Sequence, residues 1–84
     1  MSNPKFLCKN EKIEFWDKEE TTDQYLNEIL IVSIHKEHLD LIEDVINKDI
    51  GVDIEGDGVY EIECIVDSCH SEELRIRLIL IIPF

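Results

Sequence analysis

The segment Leu74–Ile82 constrains the fold more than any other stretch of the chain. Leu74, Ile76, Leu78, Leu80 and Ile82 fall on one face of a period-two pattern, and Arg75, Arg77, Ile79 and Ile81 on the other. Its last five residues, Leu78-Ile79-Leu80-Ile81-Ile82, are apolar on both faces. An exposed edge strand of that kind would pair with other chains and aggregate. The segment is therefore either a central strand covered on both sides or a strand buried between two copies. Composition points to a sheet as well. Among 84 residues there are fourteen isoleucines, five valines and no alanine, and β-branched side chains fit a pleated surface better than a helix. The length suits one domain, residues 1–84, close to the lower limit for a self-sufficient core.

The remaining pattern predicts a small α+β domain. Phe6-Leu7-Cys8 and Ile13, Phe15 and Trp16 are short apolar patches around a turn at Lys9–Lys12, with the alternation at Ile13–Phe15 indicating a strand. Asp17–Asp23 reads as a loop, and Thr21-Thr22-Asp23-Gln24 as a capping box opening a short helix. Ile29–Ile34 is a buried strand. Leu39, Leu41, Ile42, Val45 and Ile46 make the apolar stripe of a helix over His35–Lys48, with Gly51 as its stop. Val59–Asp67 is another period-two strand, with Tyr60, Ile62, Cys64 and Val66 on one face and Glu61, Glu63, Ile65 and Asp67 on the other. The expected architecture is an antiparallel sheet of about four strands, ordered β-β-α-β-β, with one amphipathic helix packed on one face. A single helix covers only one side of such a sheet, so the side around Ile65, Ile79 and Ile81 predicts a homodimer.

Charge narrows the choice of partner. The chain carries 8 Lys+Arg against 20 Asp+Glu, a formal net charge of −12, and Glu37–Glu73 holds thirteen of the acids with Lys48 as its lone base. Such a field repels a nucleic-acid duplex or an anionic membrane surface, so neither is expected to be bound directly. No apolar run approaches the ~20 residues of a membrane-spanning helix, and MSNPKFLCKNEK lacks the apolar stretch of a signal peptide. An odd count of three cysteines, Cys8, Cys64 and Cys69, suits reduced thiols in the cytoplasm.

Three constellations bear on chemistry. Asp53-Ile54-Glu55-Gly56-Asp57-Gly58-Val59-Tyr60 resembles the calcium loop of the EF-hand family. Oxygen ligands at alternate positions and a glycine at the sharp turn suit a hard cation. Asp53, Asp57, Gly58 and Tyr60 match that pattern, Glu55 departs from it, and Cys64 stands where the family has its bidentate glutamate. Cys64, Cys69 and His70, with His35 and His38 elsewhere, contain zinc-ligand residue types, but the Cys64–Cys69 spacing is wider than zinc sites use. Cys69 beside His70 is adjacent in sequence, which does not set nucleophile against base, and no catalytic motif accompanies the pair. No enzyme and no cofactor are expected.

What remains is the acidic surface: Glu37, Asp40, Glu43 and Asp44 on the helix, and Asp53, Glu55 and Asp57 on the following loop. Phage DNA mimics and bacterial immunity proteins against nuclease toxins are similar in size and charge, and present carboxylates where phosphates would sit. The expected function is a small cytoplasmic binding protein that inhibits or neutralises a basic, nucleic-acid-handling protein through these seven residues. The alternatives are a solubilising surface without a partner and a calcium-binding or structural oligomeric module. Affinity that falls steeply with salt marks the first function, and melting that responds to calcium marks the module.

Overall fold

The computed structural model describes residues 4–54, 56–67 and 72–83. Six strands form a closed antiparallel barrel: β1 Lys5–Cys8, β2 Glu11–Thr22, β3 Glu28–His35, β4 Gly51–Ile54, β5 Gly58–Asp67 and β6 Glu73–Pro83. A 3-10 turn, Lys36–His38, leads into helix α1, Leu39–Lys48, between β3 and β4. Around the barrel the order is β1-β2-β3-β6-β5-β4, and β1 closes on β4 through Phe6↔Ile54 and Leu7↔Asp53. This overturns the expected open sheet of about four strands with a helix on one face. β1 and β4 have four residues each, too few for a period-two pattern to stand out. Yet each buries alternate side chains: Phe6 and Cys8 from β1, and Val52 and Ile54 from β4.

Local chemistry accounts for the new elements. Lys9 and Asn10 both have positive φ, 50° and 70°, the two-residue turn whose twist matches a hairpin. The polar stretch read as a loop continues β2 to Thr22. Between Trp16↔Ser33 and Glu19↔Ile31 the register slips by one residue, and Asp17 takes the extra place with φ 51°. Arg75 holds this bulge: its Nη1 donates to the Asp17 carbonyl at 3.2 Å and to Ser33 Oγ at 2.9 Å. The proposed capping box is instead the end of β2 and a tight turn. Asp23 accepts from the backbone N–H groups of Tyr25 and Asn27 at 2.8 and 2.9 Å, and from Asn27 Nδ2 at 3.0 Å. The turn holds Tyr25 and Leu26 out in solvent, 75% and 81% exposed.

A second bulge corrects the face assigned to Cys64. Ile62 pairs with Leu78 but Cys64 pairs with Arg77, so Glu63 is the inserted residue. Cys64 and Val66 are thereby turned outward, while Ile65, opposite Ile76, packs against the core. Arg77 Nε lies 2.9 Å from Glu63 Oε2; the pair is not aligned as a hydrogen bond, which leaves that buried nitrogen with Coulombic attraction alone.

Strand β6 lies between β3 and β5, which makes it a central strand as far as Ile79, while Ile81 and Ile82 beyond the β3 pairing stay about half exposed. Its inward residues Leu74, Ile76 and Leu78 join Phe6, Phe15 and Val32 in one core, and the rings of Phe6 and Phe15 meet at 5.7 Å. Helix α1 sits at the end where β3 stops and β4 starts, sending Ile42 and Val45 into that core. Its cap is Asp49, in the left-handed region at φ 55°, rather than Gly51. Gly51 instead opens β4, where a Cβ would lie 3.0 Å from Val59 Cγ1. Among the described residues no helix is long and apolar enough to cross a membrane.

The left-handed backbone at Asp17 suits Asp, Asn or Gly and penalises a β-branched residue. We expect Asp17→Val to destabilise the protein by about 1–3 kcal/mol and Asp17→Gly to leave stability unchanged or slightly raised, as read by urea denaturation. Equal stability of the Val and Gly variants would show that the bulge is not strained for ordinary side chains.

Candidate functional site

The barrel has two different ends. At one, α1 contributes to the core, and Lys9 Nζ in the β1–β2 turn is tied to Asp44 Oδ2 of the helix at 2.6 Å. At the other, β2 ends, β3 begins, and the β4–β5 turn meets the end of β6. Here a cleft of about 590 Å³ opens between Glu20, Glu28, Leu30, Asp57, Tyr60 and Leu80.

The Asp17 bulge determines what lines this mouth. Phe15 points into the core, so an unbroken alternation would send Glu19 and Thr21 inward and Glu20 outward. One extra residue reverses the phase. Glu20 now stands opposite the core residue Leu30, and Thr22 opposite Glu28, which places two carboxylates on the axial side of the mouth. Asp57 joins them from the β4–β5 turn, its N–H donating to the Ile54 carbonyl at 2.9 Å. Lys18 Nζ lies 3.2 Å from Glu20 Oε1 and 3.6 Å from Asp57 Oδ2. The hydrogen bond to Glu20 raises the Lys18 pKa most, with Asp57 also favouring the ammonium and burial opposing it. Tyr60 is 7% exposed. Burial chiefly pushes its phenol pKa up, and the charges of Asp57, Glu28 and Glu20 push it further while Lys18 opposes.

The seven residues expected to bind a partner are divided between the ends. Glu37 lies in the 3-10 turn, and Asp40, Glu43 and Asp44 lie on α1. Glu37, Asp40 and Glu43 are exposed. Glu37 Oε1 is 3.6 Å from His38 Nε2; among the described residues Asp40 and Glu43 have no ion-pair partner. Asp44 is engaged by Lys9 and by Lys48 at 3.2 Å, and those hydrogen bonds hold its pKa below the ordinary carboxylate value. Asp53 is exposed on β4 and Asp57 stands at the mouth. Glu55 lies outside the described residues, as do Cys69 and His70. The structure therefore joins Asp57 to Glu20 and Glu28, which sequence reasoning did not select, and separates it from the helix acids.

The loop resembling a calcium site is the turn of the β4–β5 hairpin, with Ile54 paired to Gly58. Among the described residues no group of three or more His, Cys, Asp or Glu side chains is placed to hold a metal ion. His35 is occupied by an edge-on contact with the Trp16 ring at 5.1 Å. Cys8 is buried in the core, and burial raises its thiol pKa, which suits an inert packing residue. Comparison with protein-family models, with curated proteins and with solved structures returns no match.

Two carboxylates link this arrangement to pH. Asp23, through its hydrogen bonds from Asn27 and Tyr25, and Asp44, through those from Lys9 and Lys48, both have lowered pKa values. A depressed folded-state pKa contributes stability that is present above the unfolded value, about 3.9, and is lost as pH falls through the folded value. The urea midpoint should therefore fall as pH drops below about 4, and less steeply in the double variant Asp23→Asn/Asp44→Asn. Identical pH profiles for the two proteins would remove these carboxylates from the acid response.

Proposed function

We propose that this chain is a small acidic binding protein that neutralises a basic, nucleic-acid-handling protein partner. The observation that carries this reading is the exposed row Glu37, Asp40 and Glu43, which no lysine or arginine among the described residues pairs with. These side chains lie away from Ile42 and Val45, which enter the core, so their charge is free to act outward. A net charge of −12 adds a field that draws a cationic surface in over long range and orients it before contact. The same field disfavours nucleic acid itself as the ligand. The reading needs no catalysis and no cofactor. Self-association belongs to it as a separate element: Ile81 and Ile82, 49% and 58% exposed at the end of β6, are the apolar surface for a homodimer.

The test reverses the row. Glu37→Lys/Asp40→Lys/Glu43→Lys should keep its stability within about 0.5 kcal/mol, since exposed charges contribute little to folding. Its association rate with a basic partner captured from the host should fall at least tenfold in stopped-flow measurements. Wild-type association should also slow steeply as salt is raised to physiological strength, where the field reaches only about 8 Å. An association rate indifferent both to salt and to the triple reversal would overturn the reading.

A further inference from the structure

The mouth of the barrel combines three features that a merely solubilising acidic surface does not require. The first is its charge. Glu20, Glu28 and Asp57 converge there, and Lys18 bridges only Glu20 and Asp57. Among the described residues no cation pairs with Glu28. The second is Tyr60, whose side chain lines the cleft though 93% of it is buried, given its exposure of 7%. Its hydroxyl has no hydrogen-bond partner among the described residues, and it is not sealed from the cleft. A buried phenol normally finds such a partner. The charges felt by this hydroxyl are those of Asp57, Glu28, Lys18 and Glu20, the same groups that ring the mouth. The third feature is an apolar part of the lining, contributed by Leu30 and Leu80.

We propose that this cleft is a binding site for an organic monocation with an apolar stem, an alkylguanidinium or alkylammonium group of the kind that ends an arginine or lysine side chain. Glu28 supplies the unpaired counter-charge, the Tyr60 oxygen accepts an N–H, and Leu30 and Leu80 take the methylene stem out of water. A hard divalent ion suits the cleft poorly. It would meet hydrocarbon where it needs oxygen ligands, and the Lys18 ammonium would repel it. The volume, about 590 Å³, is within the range of small-molecule sites. The site is at the opposite end of the barrel from the helix acids, so it stands or falls independently of the partner proposed above. Two sources share this chemistry, a free amine and the side chain of a basic protein.

Titration of the full ¹⁵N-labelled chain with butylguanidinium chloride tests the site. Saturable amide shifts centred on Leu30, Tyr60 and Leu80 are expected, with guanidinium chloride and butanol each at least about tenfold weaker, as loss of roughly one good contact implies. Glu28→Gln should weaken binding about tenfold. Tyr60→Phe should weaken it while leaving the melting temperature nearly unchanged, because the hydroxyl makes no hydrogen bond within the described residues and faces the cleft. The Glu37→Lys/Asp40→Lys/Glu43→Lys variant should bind butylguanidinium as wild type does. Tighter binding of butylguanidinium than of the equally charged acetyl-Gly-Arg-Gly-amide peptide would name a free small cation as the source, and the reverse order a protein side chain. Shifts that do not saturate, that centre on the helix acids, or that survive Glu28→Gln unchanged would overturn the proposal.

Discussion

The guanidinium of Arg75 holds the bulge at Asp17 in place, and both the closure of the barrel and the character of its mouth depend on that contact. A bulge adds bend and twist to a strand, which a twelve-residue strand such as β2 needs in order to pair with β1 at one end and β3 at the other. The inserted residue also leaves a carbonyl outside the ladder, and Arg75 Nη1 donates to it while bonding the buried Ser33 hydroxyl. Without that donor the carbonyl would rely on water. Regular pairing would then compete, and a one-residue slip would turn Glu20 outward and Glu19 toward the axis.

Closure removes the free edges of the sheet, although Ile81 and Ile82 at the end of β6 stay exposed. The four-residue strands β1 and β4 pair with each other, joining what would otherwise be two free edges. Their shortness limits the stability they add, but it is enough to remove the template for edge-to-edge association. Helix α1 then occupies one end and leaves the other open. The result is polarity along the barrel axis: apolar helix residues enter at one end, whereas carboxylates and the Tyr60 hydroxyl meet water at the other.

Strands β3, β5 and β6 and helix α1 were legible in sequence, whereas the closed barrel was not. The β5–β6 hairpin, β3 and α1 each carry several apolar residues that mark where they lie. Where apolar residues run out, phase becomes invisible. Asp17-Lys18-Glu19-Glu20-Thr21-Thr22 has none, so strand and loop look alike there, and nothing says which carboxylate points inward. The one usable hint was Asp17 itself, since Asp is among the few residues that accept a left-handed backbone. Likewise the insertion at Glu63 reverses the faces of Cys64 and Ile65 without altering the alternation on paper. Asp57 could be chosen as an acid in a turn, but its neighbours Glu20 and Glu28 come from a register that only the bulge defines.

Four of the eight cations of this acidic chain act as positioning groups. Lys9 ties the first hairpin to α1, Lys18 ties β2 to the β4–β5 turn, Arg75 secures the bulge and Arg77 sits beside the inserted Glu63. Half-exposed ion pairs of this kind contribute little net stability, so their value lies in choosing one register over another. Glu37, Asp40, Glu43 and Glu28 have no lysine or arginine partners among the described residues. These carboxylates, at the helix and at the mouth, lie outside the ion pairs that fix the register. Screening by salt or occupation by a cation can therefore act on those carboxylates while the register of the barrel stays fixed.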